Sequence, residues 1–213
     1  PFPTVLLPHF EGAGQTLDLI DLSFGADSGS PLWTANRSIG LGKTYLNSAD
    51  CTTFAKTPYT QTSGFTVFVI ADVNDALVSN RKRVFRTINT PSGTVSAIEF
   101  SDAAANVISL TLIKPDGTFD IYAGGPSYAA NKHYSVIQSW KENTGQKLFV
   151  NGTKYQSSVS IASLKFLGHQ FNVGNHSPGS TFPVRGSVGQ VVVFDSQLSD
   201  GLSAELTADT PYA

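Results

Sequence analysis

Short runs rich in Val, Ile, Phe, Tyr and Thr, closed off by clusters of Gly, Pro, Asn and Asp, recur along this chain, and helical periodicity is nearly absent. The clearest runs are Phe65 to Val73, Val84 to Asn89, Thr94 to Phe100, Val107 to Ile113, Thr118 to Tyr122, His133 to Trp140, Lys147 to Val150, Phe166 to Val173 and Ser187 to Phe194. Two connections carry explicit turn chemistry. In Lys114-Pro-Asp-Gly117 the proline presets φ, and in Asn151-Gly152 both residues tolerate the positive φ of a type I′ hairpin. Both predict antiparallel neighbours. With no helical segments between the strands, a parallel sheet is disfavoured and an all-β sandwich or barrel is predicted. The single helix candidate is Ser199 to Leu206, with Ser199 as its N-cap.

No linker or internal repeat interrupts the 213 residues, so one domain over 1–213 is the economical reading. The first 60 residues are less regular and are expected to add an edge strand and loops. Gly25-Ala-Asp-Ser-Gly-Ser-Pro31 is the loosest stretch. Charge excludes some functions. Only 14% of residues are charged and the net charge is -2, while 24 Ser and 20 Thr make the surface hydroxyl-rich. Neither nucleic acid nor an anionic membrane finds an attracting field, and no apolar run approaches the roughly 20 residues of a membrane helix. The one cysteine, Cys51, rules out an internal disulfide and reads as a small buried hydrophobe. A start at Pro1 and the absence of Met point to a processed product or a piece of a longer chain.

His133-Tyr-Ser-Val-Ile-Gln-Ser-Trp-Lys-Glu-Asn-Thr-Gly-Gln-Lys-Leu-Phe-Val-Asn-Gly152 resembles the hairpin of laminin-G and pentraxin-like domains. Phe171-Asn-Val-Gly174, then Val184-Arg-Gly-Ser-Val-Gly-Gln-Val-Val-Val-Phe-Asp195 and Gln197-Leu-Ser-Asp200, are similar to that family's closing strand and the short helix after it. The resemblance covers residues 131 to 206 and extends less clearly back to Phe65. It implies an antiparallel two-sheet jelly-roll sandwich of the concanavalin A-like, laminin-G-like kind. That fold hosts lectins, binding modules, hydrolases, lyases and viral attachment domains, so function must come from the site.

Glycoside hydrolysis needs two carboxylates across the scissile bond. Only Glu11, Glu99, Glu142 and Glu205 are present, and the Glu-x-Asp-x-x-Glu strand of the family's glucanases is missing. The lyase branch's Gln-Ile-His and Tyr-x-Lys segments are missing too, as is a Gly-x-Ser-x-Gly elbow. No catalytic residues are assigned, and the chain is expected not to be an enzyme. His169 and His176 read as a polar strand end and loop rather than as metal ligands. Many relatives bind calcium, but their acidic pair before the last apolar strand corresponds here to Gly189 and Gln190. The best local oxygen cluster is Asp72, Asn74 and Asp75, with turn capping as the competing account.

Ligand-binding candidates are aromatic and basic. Trp33 lies beside Pro31 and is the better exposed-aromatic candidate, whereas Trp140 ends a strand where relatives carry a core Trp. Tyr122 and Tyr128 flank Gly124-Gly-Pro126 and frame a groove, unless they serve ordinary loop packing. Arg81, Lys82, Arg83 and Arg86 form the one basic cluster, fit either for an acidic glycan or for a solvated strand edge. Asn36, Asn151 and Asn175 open Asn-x-Ser/Thr sequons, relevant only on a eukaryotic secretory route. The reading is a non-catalytic module of a larger protein that binds a glycan or glycosylated surface, located extracellularly or on a virion or cell surface. A structural or attachment domain of a fibre, spike or adhesin, with homo-oligomerisation, is the alternative, and a carbohydrate-active enzyme with an unfamiliar site is the third.

Overall fold

The computed structural model describes residues 17–20, 25–36, 40–55, 64–74, 82–89, 93–100, 106–164, 170–175, 182–194 and 196–208. Among them the chain runs through β1 (Leu17–Ile20), β2 (Ala26–Ser28), β3 (Leu32–Asn36), β4 (Gly40–Tyr45), β5 (Cys51–Ala55), β6 (Gly64–Val73), β7 (Lys82–Asn89) and β8 (Gly93–Phe100). It continues with β9 (Ile108–Ile113), β10 (Phe119–Tyr122), β11 (Lys132–Lys141), β12 (Lys147–Val150), β13 (Thr153–Gln156), β14 (Gln170–Val173), β15 (Gly186–Phe194) and the helix α1 (Asp200–Ala208). The strands form two wholly antiparallel sheets. The first runs β13-β12-β11-β6-β15-β4-β3, with β1 also paired to β15, and the second runs β10-β9-β8-β7-β14-β5-β2. This is the predicted all-β, jelly-roll-like sandwich.

The core lies between the sheets because alternate side chains of each strand point inward. Val67, Val69, Ala71 and Val73 from β6 meet Phe85, Ile98, Leu110 and Phe171 from the second sheet. Their neighbours Phe68 and Ile70 point outward and, with Ile137, Phe149, Val192 and Phe194, form a second apolar cluster against Leu202, Ala204 and Leu206 of α1. Ser199 Oγ accepts a hydrogen bond from Leu202 N at 3.2 Å, which is the predicted N-cap. Trp140 is buried against Phe65, as its strand-end position implied. Cys51 is buried, and burial pushes its thiol up to about 11.

The Asn151-Gly152 turn joins β12 to β13 with Val150 facing Thr153, and φ is 47° at Asn151 and 81° at Gly152. It is the expected type I′ hairpin. The expectation for the first 60 residues needs correction. Their described residues contribute five strands, of which β4 sits between β15 and β3, and β5 sits between β14 and β2. Residues 25–31 contain β2 and are pinned by Asp50, whose carboxylate accepts from Ser30 N, Leu46 N and Asn47 N at 2.9 Å each.

Candidate functional site

β3 and β2 are the edge strands of the two sheets on the same side of the sandwich, and what closes the gap between them is polar. Trp33 pairs with Lys43, and Lys43 lies on the same face of β4 as the core residue Tyr45, so Trp33 and Lys43 both face inward at the lateral opening. From the other sheet Asp27, paired with Thr52, meets them. Lys43 Nζ donates to both Asp27 oxygens at 2.8 Å and sits 4.8 Å from the centre of the Trp33 ring. Thr52 Oγ1 donates to Asp27 Oδ1 at 2.7 Å, so its proton is committed and the Tyr45 hydroxyl donates to it, at 2.8 Å. Burial, together with the nearby Asp27 and Asp50 charges, holds Tyr45 protonated well above its ordinary range.

This mouth is half open. Lys43 is 2% exposed, whereas Trp33 is 50% exposed and the Asp27 side chain 37%. An indole with half its surface in solvent, carried on a rigid strand and flanked by a carboxylate acceptor, can desolvate the apolar face of a ring while accepting its hydroxyl protons. The exposure of Trp33 was legible in the sequence. Lys43 and Asp27 were not, because a charged residue in a polar-looking strand carries no mark that it points inward.

The other expected site residues go elsewhere. Arg83 is buried on the interior strand β7 and ion-paired to Glu99 of β8, with the Phe182 ring 5.3 Å from its guanidinium. Lys82 and Arg86 are buried as well, so among the described residues the basic cluster is neither a solvated edge nor an open anion site. Burial first, then the charge of Arg83, lowers Arg86 to about 10. Arg81 lies outside the described residues. Tyr128 is buried, edge-on to Phe100 at 5.5 Å, and its hydroxyl accepts from Lys82 Nζ at 3.2 Å. Tyr122 packs on the core with its ring against Gly124, so the two tyrosines do not frame a groove.

Asp72 lies on the outer face of the first sheet between His133 and Ser187, and Asn74 follows the strand in an exposed bend. Burial raises the Asp72 carboxyl above its ordinary range, and His133 pulls it back only in part. Its Oδ1 has no hydrogen-bond partner. Asp75, His169 and His176 lie outside the described residues, and among those described no three His, Cys, Asp or Glu side chains group as metal ligands. Gly189 and Gln190 sit at a register shift in β15, between Val188 and Val191 opposite β6. Asn175 is fully buried and donates to Ser48 O at 2.8 Å, while Asn151 Oδ1 accepts from Ser135 N of β11 at 3.0 Å.

No family model matches the sequence, and no curated protein does. Solved structures share the fold at low identity. The binding domain of botulinum neurotoxin DC in complex with SialylT is 12% identical with a TM-score of 0.66, covering 93% of this chain and 47% of that one. Domain 4 of AbnA, a GH43 extracellular arabinanase from Geobacillus stearothermophilus, in complex with arabinotriose, is 13% identical with a TM-score of 0.60, covering 91% of this chain and 87% of that one. Trypanosoma rangeli sialidase in complex with the inhibitor DANA is 11% identical with a TM-score of 0.61, covering 88% of this chain and 29% of that one. The chain thus spans less than half of the toxin and sialidase chains. What is common to them is a β-sandwich.

Proposed function

We propose that this chain is a non-catalytic glycan-binding module, working extracellularly or on a virion or cell surface as part of a larger protein. The observation that carries the reading is Trp33, half exposed at the sandwich mouth and held there by Lys43 and Asp27. The ring covers the Lys43 ammonium on one side, and its solvated side offers a sugar ring a flat apolar platform. A similar fold solved with arabinotriose supports a ligand of this chemistry. A non-catalytic role is supported by where the described Glu residues lie. Glu99 is buried and held by Arg83, Glu142 is in an exposed turn, and Glu205 is on the solvent side of α1.

Within the sandwiches, the concanavalin A-like, laminin-G-like group is our assignment. It rests on the β11–β12 hairpin and on β15 running into α1 as the resemblance implied. One domain over 1–213 is supported by the pairing of β1 with β15, which joins residues 17 and 194. The test is calorimetric titration of oligosaccharides found by a glycan array. Trp33→Ala is expected to weaken binding at least tenfold, about 1.4 kcal/mol, with the melting temperature within a few degrees of wild type. Full binding by Trp33→Ala would remove this site.

A second reading, an assembly or attachment domain, is favoured by Phe119 and Ile121, 58% and 45% exposed on one face of the edge strand β10. Sedimentation velocity showing only a monomer at high concentration would dismiss association through that face.

A further inference from the structure

We infer that the mouth at Trp33 selects neutral sugars and turns away acidic ones; this rests on the glycan-binding reading above and specifies its ligand. The argument is one of charge and donor count. Lys43 is the cation of the mouth among the described residues, and its ammonium has three protons. Both Asp27 oxygens receive it at 2.8 Å, and the Trp33 ring covers it at 4.8 Å. At 2% exposure it has no open face from which to meet a ligand anion.

Asp27 is placed in the opposite way. Its carboxylate takes Lys43 and Thr52 on the inner side, yet its side chain is 37% exposed toward the mouth. A carboxylate offers about four acceptor positions, and these three hydrogen bonds leave one for a ligand. A second acid, Asp50, lies in the same neighbourhood, since both acids act on Tyr45, and its oxygens are occupied by backbone N–H groups. Among the described residues the charge open to an incoming ligand is therefore the Asp27 carboxylate, with the Lys43 ammonium and the Asp50 carboxylate both enclosed. A hydroxyl-rich neutral pyranose or furanose finds an aromatic platform and a charged acceptor for its O–H groups, a pairing stronger than one between neutral groups. A sugar carrying carboxylate or sulfate finds like charge and no open cation among the described residues of the mouth.

The experiment compares matched neutral and acidic oligosaccharides, the neutral probes being arabino-, gluco- and galacto-oligosaccharides and the acidic ones their uronate, sulfated or sialylated counterparts. Affinity is measured by calorimetry for wild type, Trp33→Ala and Asp27→Asn. Wild type is expected to bind a neutral probe at least tenfold tighter than its acidic counterpart, and Trp33→Ala to lose both. Asp27→Asn, which keeps an acceptor for Lys43 and Thr52 but removes the charge, is expected to narrow the preference at least threefold. A thermal melt confirms that it is folded. Acidic probes bound as well as neutral ones through Trp33 would overturn the selectivity while leaving the glycan reading standing. Binding indifferent to Trp33→Ala, or no binding of any probe, would overturn both.

Discussion

At the scale of single residues, the decisive distinction is where a charged or aromatic side chain points. Two tryptophans in similar strands divide cleanly, Trp140 into the core and Trp33 into the mouth. The basic run at β7 shows the opposite outcome, because a strand that reads as a solvated edge is instead an interior strand. Arg83 is there paired with Glu99, which also accepts from Thr111 Oγ1 at 3.4 Å, and Arg86 lies close enough for both charges to act on it. Removing one member of a buried ion pair leaves the other charge uncompensated. Glu99→Gln keeps the shape but takes a countercharge from two buried guanidiniums, and we expect it to cost about 3 kcal/mol or more. Urea denaturation checks this, and a loss under about 1 kcal/mol would mean that the pair is solvated. Nothing in the local sequence marks these side chains as buried, since their partners are cross-strand neighbours 16 residues away.

At the scale of elements, the hairpins with explicit turn residues were legible and the N-terminal strands were not. All nine expected strands are present with ends shifted by a few residues, although 165–169 of the run expected from Phe166 lie outside the described residues. β2, β4 and β5 escaped because their inward positions carry Asp27, Lys43 and Thr52, which break the apolar alternation that period-2 reading depends on. β13 escaped because Thr153–Gln156 is a short strand with mostly exposed side chains, fixed only by its hairpin register. That hairpin is also tied to α1. Gly152 N donates to Thr207 Oγ1 at 3.1 Å, and a Cβ on Gly152 would lie 2.9 Å from the Ala208 Cβ. Gly152→Val therefore meets both a left-handed φ forbidden to a branched residue and a crowded helix end. The expected loss is about 2 kcal/mol, read as a lower midpoint in chemical denaturation. A neutral result would mean that the turn has another geometry.

At the scale of the whole molecule, a chain with few charges should depend on pH through a small number of placed carboxyls. Asp50 and Asp200 are both held below the ordinary 3.8. In each case partial burial pushes the carboxyl up and is outweighed, by the N–H groups of Ser30, Asn47 and Leu46 for Asp50, and by Lys147 and Lys154 for Asp200. A depressed folded pKa gives stability that is fully present above the unfolded value and lost as pH falls through the folded one. Their contribution should thus hold from neutrality down to about pH 4 and fail below it. Asp72 has the opposite sign. Burial raises its folded pKa above 3.8, so its ionisation costs stability at neutral pH, and the cost is relieved as pH falls through that raised value. Wild type is expected to gain slightly in stability on mild acidification and then to lose it steeply below pH 4. Asp72→Asn removes the buried charge while keeping the shape, so it should raise stability at pH 7, abolish the gain on mild acidification and leave the steep acid limb in place. Denaturant midpoints measured from pH 7 to pH 3 for both proteins decide the matter. A variant less stable than wild type at pH 7 would show that the Asp72 charge is stabilising, with His133 outweighing the cost of its burial.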